Sequence, residues 1–347
     1  MPMKKTHGSK TAGVELRRLA AGDFERAVAI DAAILGRRRR AYFERRLQSA
    51  LKAPEDHVQF AAARDGELAG YALGRRMLGE FGRAEPALRL ETIGVSPGQQ
   101  GHGIGMRLLG ELEAWALKHG IRQIRTSADW RHHLMLRFFD RAGFELGRNH
   151  VIDCAVHGGQ ILEGEDAKVL APGHHRATEE TDYSAPTAND FETLARDRSD
   201  VRSLAPGDLA DIVRIDHRIT GRDRADYIAR LVNEAMRDSA IRVSLAAHRD
   251  GSVAGFVMAK VDIGDFGRME PVAVIDTIGV DPGFAAAGIG TALLSQLFVN
   301  LEALHVERVE TVVSRENFEL LGFFYRAGFG PSRRLAFVKG IAQKKAS

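Results

Sequence analysis

Several features are scarce in this chain, and each scarcity excludes a class of protein. There is one cysteine, Cys154, in 347 residues. That rules out an intramolecular disulfide framework and a cysteine-held zinc site, and it fits a cytoplasmic setting. No apolar run approaches the ~18 residues that a membrane helix needs. The opening Met1-Pro2-Met3-Lys4-Lys5 runs into polar residues, so it lacks the apolar stretch of a secretory signal. Net charge is only +3, from 49 basic and 46 acidic side chains. With no basic stripe interleaved with aromatics, this argues against a nucleic-acid partner. No Gly-Lys-Ser/Thr follows a glycine-rich turn, so there is no Walker A loop.

What is present is an ordinary globular composition, 44% apolar and 27% charged, enough to build a sizeable core. The length favours two domains of ~100–200 residues. An internal repeat supports that division. Gly22-Asp23 recurs as Gly207-Asp208, an offset of 185 residues. The same offset carries Ile30-Asp31 onto Ile215-Asp216, Asp65-Gly66 onto Asp250-Gly251, and Phe81-Gly82-Arg83 onto Phe266-Gly267-Arg268. It also carries Thr92-Ile93-Gly94-Val95 onto Thr277-Ile278-Gly279-Val280, and Arg141-Ala142-Gly143-Phe144 onto Arg326-Ala327-Gly328-Phe329. One ungapped register over such a length means duplicated domains, not a solenoid. The expected division is a first domain at 14–156, a polar linker at 157–198 and a second domain at 199–340.

Each copy reads as mixed α and β. In the first, 14–20 reads as a strand and a helix begins near Asp23, a plausible cap. Strands at 59–64 and 68–75 flank the turn signal Asp65-Gly66. A strand over 89–95 leads into a glycine-rich turn. Ile104, Leu108, Leu112 and Trp115 then fall at helical spacing, as do Ile289, Leu293, Leu297 and Leu301 in the second copy. A strand at 121–128, a helix at 133–141 and strands over 144–156 complete the unit.

The segment that carries chemistry is Val95-Ser96-Pro97-Gly98-Gln99-Gln100-Gly101-His102-Gly103-Ile104-Gly105. Lying between a strand and a helix, such a turn either makes a tight connection or aims several N–H groups and a helix N-terminus at a phosphate. The pattern Gln100-x-x-Gly103-x-Gly105 after Ile93-Gly94-Val95, with Phe138-Phe139-Asp140-Arg141-Ala142-Gly143-Phe144 downstream, resembles the two motifs of the GNAT N-acyltransferase superfamily. Both copies carry the resemblance. It implies an α/β (α+β) fold of two tandem units, each a mixed, splayed sheet flanked by helices. It further implies acetyl-CoA as co-substrate, no metal, and direct attack by a primary amine in a ternary complex. The implied acetyl-CoA contacts are Ile93 and Val95 along the pantetheine, and Gln100, Gly101, His102, Gly103, Ile104 and Gly105 at the pyrophosphate. In the second copy they are Val280, Gly288, Ile289, Gly290 and Asn317.

The copies depart from the pattern differently. Ala285 stands where the first copy has Gln100, and His132 stands where the second has Asn317. On this count the first copy is the favoured active domain; the alternatives are one catalytic domain beside a degenerate scaffold, or a non-catalytic CoA-binding module. The family's usual tyrosine acid is replaced by Phe139 and Phe324, and Tyr325 lies one position away. A thiol with a pKa near 8.5 is a tolerable leaving group without an acid. For the base, the candidates are Glu91 and its counterpart Asp276, with His132 and His133 as rivals. The other reading of Glu91 is a carboxylate paired with an arginine such as Arg89. Arg37-Arg38-Arg39-Arg40 reads as a solvated basic face or as a contact for an acidic acceptor. Trp130 is open between acceptor pocket and core, the repeated loop at 79–86 between a fixed hairpin and a domain contact, and Cys154 reads as an inert strand residue. The acceptor is a small-molecule or protein amine, and the two domains are expected to pack as a pseudo-dimer without nucleic acid or membrane.

Overall fold

The computed structural model describes residues 13–77, 85–156, 200–237, 243–262 and 271–341. The linker expected at 157–198 and most of the repeated loop at 79–86 lie outside these residues. In the first half, β1 (Val14–Arg18), β2 (His57–Arg64), β3 (Glu67–Met77), β4 (Ala87–Val95) and β5 (Gln123–Asp129) form a sheet. Helices α1 (Phe24–Leu35), α2 (Arg40–Lys52), α3 (Ile104–Lys118) and α4 (His133–Arg141) flank it. Short β6 (Glu145–Leu146) and β7 (Asn149–Ala155) follow. The second half repeats the order: β8 (Asp200–Ser203), α5 (Leu209–Thr220), α6 (Ala225–Arg237), β9 (Leu245–Arg249), β10 (Ser252–Asp262) and β11 (Val272–Val280). Then come α7 (Ile289–Ala303), β12 (Arg308–Ser314), α8 (Phe318–Arg326), β13 (Gly330–Pro331) and β14 (Arg334–Gly340).

Local chemistry accounts for these elements. Asp65 and Asp250 take φ of 53° and 52° in the β2–β3 and β9–β10 turns, where aspartate tolerates the left-handed region better than most residues. Asp23 stands at the head of α1, but its carboxylate accepts from the Ala20 N–H and from Arg17 rather than from the helix. Ile104, Leu108, Leu112 and Trp115 all lie in the core under α3. No helix among the described residues is long and apolar enough to cross a membrane.

The two sheets have seven strands each, in the orders β1-β2-β3-β4-β5-β14-β6 and β13-β7-β12-β11-β10-β9-β8. The final long strand of each repeat is therefore built into the sheet of the other. Strand β14 pairs antiparallel with β5 from Arg334↔Asp129 to Gly340↔Gln123, and β7 pairs with β12 from Asn149↔Ser314 to Ala155↔Arg308. Phe337 and Ile341 lie in the first core, Ile152 and Val156 in the second. The division of the chain at 156 thus does not coincide with the division of the sheets. The connections show why the strands cross. Gly147 N–H donates to Ala336 and Ser332 N–H to Val151, so each short link keeps pairing into the incoming strand instead of reversing. The Trp130 N–H to Arg333 and Arg315 N–H to Arg148 bonds repeat the arrangement on both sides of the crossing.

Candidate functional site

The site begins where the sheet opens. Strands β4 and β5 run parallel but pair only at Leu88↔Ile124 and Arg89↔Arg125. The Thr126 hydroxyl then donates to the Leu90 carbonyl at 3.0 Å, and past it the strands part. The second unit opens in the same way, with Thr311 donating to Ile275 at 3.0 Å. Opening a sheet leaves a row of backbone groups for another chain or an extended ligand to satisfy.

At the opening, Leu73 pairs with Thr92 and Gly74 with Leu90, so Glu91 is the extra residue of a β-bulge. Asp276 is the extra residue of the matching bulge, between Ile275 and Thr277. A bulge re-aims a side chain, and here both copies re-aim an acid. Glu91 is buried, and its Oε1 lies 3.2 Å from Nη1 of Arg46 on α2. Asp276 instead meets Lys260 of the neighbouring strand at 2.9 Å. The pairing expected of Glu91 exists, with Arg46 as an arginine that sequence proximity could not suggest.

Strand β4 ends in the glycine-rich turn. Gly101 and Gly103 have φ of 78° and 76°, in the left-handed region that favours glycine, and α3 starts at Ile104 with its N-terminal N–H groups beside them. The Gln100 side chain folds back and donates to the Val95 carbonyl at 3.1 Å. His102 Nδ1 lies 3.3 Å from the Gln99 carbonyl. Ile93 and Ile104 are buried in the core, so their side chains support the turn from beneath. Gly105 packs against α4, where an added Cβ would meet the Phe138 ring at 3.1 Å. In the second unit Gly288 has φ of 75°, Gly290 packs on Phe323, and Ile289 is buried. Val280 ends β11, as Val95 ends β4. Ala286 takes φ of 60° where the first copy has Gly101, a strained conformation for a residue with a Cβ. Asn317 caps α8, its side chain accepting from the Leu320 N–H at 3.1 Å. His132 occupies the same position before α4 without a side-chain cap.

Beneath the bulge lies a group of polar residues that sequence reading missed. Asp31 of α1 accepts from Arg39 Nε at 2.8 Å and Nη2 at 2.5 Å, and from the Tyr71 hydroxyl at 2.8 Å. Burial, reinforced by the Asp31 charge, holds the Tyr71 hydroxyl well above the usual phenol range, so it stays protonated and donates. Tyr71 also hydrogen-bonds the Thr92 side chain. Its ring lies where a Cβ on Gly94 would come within 2.7 Å, which only glycine permits. The guanidinium groups of Arg39 and Arg46 lie 4.7 and 5.2 Å from the Tyr42 ring centre. A small pocket between α1, α2 and β3 is lined by Leu19, Phe24, Leu47 and Leu73, with Arg46 and Gln59 as its polar members. The one sequence signal was Asp31, an acid on a helix's apolar side that recurs as Asp216.

Other expectations sort as follows. Arg39 is buried against Asp31 and Arg40 pairs with Glu25 and Glu44, so only Arg37 and Arg38 of the four present a bare basic face. The reason is that Asp31, once inside, draws in a counter-charge. Phe139 and Phe324 are fully buried ring-packing residues, and Tyr325 is half-exposed. Trp130 is half-exposed near the strand crossing. Burial pushes the Cys154 thiol up to about 11, which keeps it unreactive. Glu85, in the repeated loop, reaches Arg222 of the other unit at 3.6 Å.

The chain is similar to known proteins in sequence and in fold. The chain is 28% identical over 285 residues to a mycothiol acetyltransferase from Sanguibacter keddieii, covering 80% of this chain and 79% of that one. A mycothiol acetyltransferase from Clavibacter michiganensis is 35% identical over 112 residues, and there the match spans only 33% of the relative. Among solved structures, a tandem GNAT protein from the clavulanic acid biosynthesis pathway superposes with a TM-score of 0.59 at 15% identity, over 96% of this chain and all of that one. A GCN5-related N-acetyltransferase from Sphaerobacter thermophilus gives 0.56 at 17% identity, over 95% and 96% of the two chains. The description "Acetyltransferase (GNAT) family" matches residues 18–144 and again 209–329. With both regions matched and two opened sheets carrying the same turn, the chain belongs to the GNAT acetyltransferase family, twice over.

Proposed function

We propose that the protein transfers an acetyl group from acetyl-CoA to a primary amine, and that the first unit carries the reaction. The observation that supports this most is the pairing of a left-handed glycine turn at Gly101 and Gly103 with a buried acid at the β4 bulge beside the opened sheet. The N–H groups of 101–105 would hold the pyrophosphate, and the free edge of β4 through Ile93 and Val95 would line the pantetheine. In the second unit Val280, Gly288, Ile289 and Gly290 repeat these positions, and Asn317 is occupied in capping. Acetyl-CoA supplies an activated thioester. The amine nitrogen forms the new bond to the acetyl carbon, the carbon–sulfur bond breaks, and the thiolate leaves. Glu91 takes the amine's proton through water; Asp276 is its equivalent in the second unit. Holding the reactants together supplies much of the rate.

The relatives make a mycothiol-related acceptor the first to assay. A second reading, in which the second unit is a scaffold that binds weakly or not at all, is favoured by the strained Ala286 in its turn. Titrating acetyl-CoA into the wild type, Gly103→Asp and Gly288→Asp decides between them. An added Cβ at Gly288 meets nothing within 4 Å, and a carboxylate placed in either turn would repel phosphate. Loss of binding in Gly103→Asp alone supports a single active first unit. Loss in Gly288→Asp alone reverses the assignment, and no binding to the wild type refutes the acetyl-CoA reading.

A further inference from the structure

The duplication serves as an internal control. A residue that the fold needs should recur at the offset of 185 residues, and one that recurs nowhere is free to serve something else. Around the bulge, the second unit repeats the buried core of the polar group. Arg224 donates to Asp216 at 2.9 and 2.6 Å and lies 4.7 Å from the Tyr227 ring centre. These are the counterparts of Arg39, Asp31 and Tyr42. Thr277 matches Thr92 and Asp276 matches Glu91. Two members have no counterpart: Tyr71 becomes Phe256, and Arg46 becomes Leu231, which packs in a hydrophobic cluster.

Those two are the links. Tyr71 joins Asp31 to Thr92, and Arg46 joins Tyr42 to Glu91. With both in place the group closes into a ring, running Glu91, Arg46, Tyr42, Arg39, Asp31, Tyr71 and Thr92 and returning along β4. Without them, the second unit keeps the Asp–Arg–Tyr core and folds, and its bulge acid turns to Lys260 on the next strand. The first unit therefore places a partly buried arginine, 16% exposed at its side chain, where leucine satisfies the fold.

We propose that Arg46 is a positioning residue of the first unit: it holds Glu91 as a fixed carboxylate at the β4 bulge, and with Tyr71 it locks the bulge to α1 and α2. This rests on the reading of Glu91 as the base. A carboxylate in an apolar layer stays ionised only beside a positive charge, so the lock keeps the base in its proton-accepting form at neutral pH. The charged groups on the elements around the bulge include Glu44, Arg45 and Arg46 on α2, Arg75 and Arg76 on β3, Arg89 on β4 and Arg125 on β5. The titratable ones include Asp31 on α1, Tyr42 and Glu44 on α2, His57 on β2 and Tyr71 on β3. Arginines keep their charge throughout the working range. Tyr71 is held protonated by burial and does not titrate near neutrality, and the NMR signal of the Glu91 carboxyl separates Glu91 from His57, His132 and His133.

The test compares Arg46→Gln, Arg46→Lys, Tyr71→Phe and Glu91→Gln on the full chain. Two measurements are made: kcat/KM against pH, and direct NMR titration of the labelled Glu91 carboxyl. Arg46→Gln should raise the acidic midpoint of both by about one unit or more. Arg46→Lys should restore most of that shift, and Tyr71→Phe should give a smaller one. Unmoved NMR and kinetic midpoints in Arg46→Gln would overturn the proposal, as would a uniform loss of activity that lysine fails to rescue. Wild-type turnover in Glu91→Gln would instead refute the base reading, while the NMR titration would still decide whether Arg46 keeps Glu91 charged.

Discussion

Phe337 belongs by sequence to the second repeat and by structure to the first core. Its ring lies 5.1 Å, centre to centre, from that of Phe139, and the residue is 9% exposed. Phe144 completes the cluster, 5.0 Å from Phe139. Replacing Phe337 by alanine removes a nearly buried ring and leaves a cavity, at a cost of about 3 kcal/mol. For a unit of this size, that lowers its melting temperature by roughly 6–12 °C. The damage should appear in the other half of the chain. Hydrogen exchange followed by mass spectrometry should show lost protection in β5 and α4, residues 123–141, with α7 and β12 unchanged. Ile152→Ala, the counterpart on β7, should do the opposite: about 3 kcal/mol lost from the second core, with α7 and β12 loosened and β5 and α4 spared. If Phe337→Ala loosens 289–314 and leaves 123–141 protected, each half keeps its own last strand and the crossing is wrong.

Two further outcomes follow from the second unit. Ala286→Gly relieves a left-handed alanine at φ 60° and should raise that unit's stability by about 0.5–1 kcal/mol, after allowing for glycine's extra chain entropy; a lowered melting temperature would refute the strain argument. Asp281 is held below the usual carboxylate range first by the Gly283 N–H, then by Arg214 and Arg218. Its stabilisation is therefore present above about pH 4 and is lost as pH falls through the depressed folded value. Urea midpoints of the wild type and Asp281→Asn should differ at pH 7, and the gap should narrow as pH falls below about 4; a gap that stays constant down to acid unfolding would contradict the linkage.

Local structure and the duplication were legible in the order of residues. Hydrophobic spacing places α3 and α7, the Asp-Gly turns place the hairpins, and one offset ties the copies together. All of these depend on contacts close along the chain or on direct comparison of two segments. The sequence also marked the glycine turn and the acids at 91 and 276, because a carboxylate in an apolar strand stands out in any register. Tertiary structure alone decided two things. The exchange of β7 and β14 is invisible in sequence because Val151-Ile152 and Ala336-Phe337 present the same apolar register to two homologous slots, so neither strand's pattern tells them apart. The pairing of Glu91 with Arg46 was equally hidden. The two are far apart in sequence, yet α2 folds over the bulge and brings Arg46 to 3.2 Å, and a buried charge is held by the counter-charge that packing delivers to it.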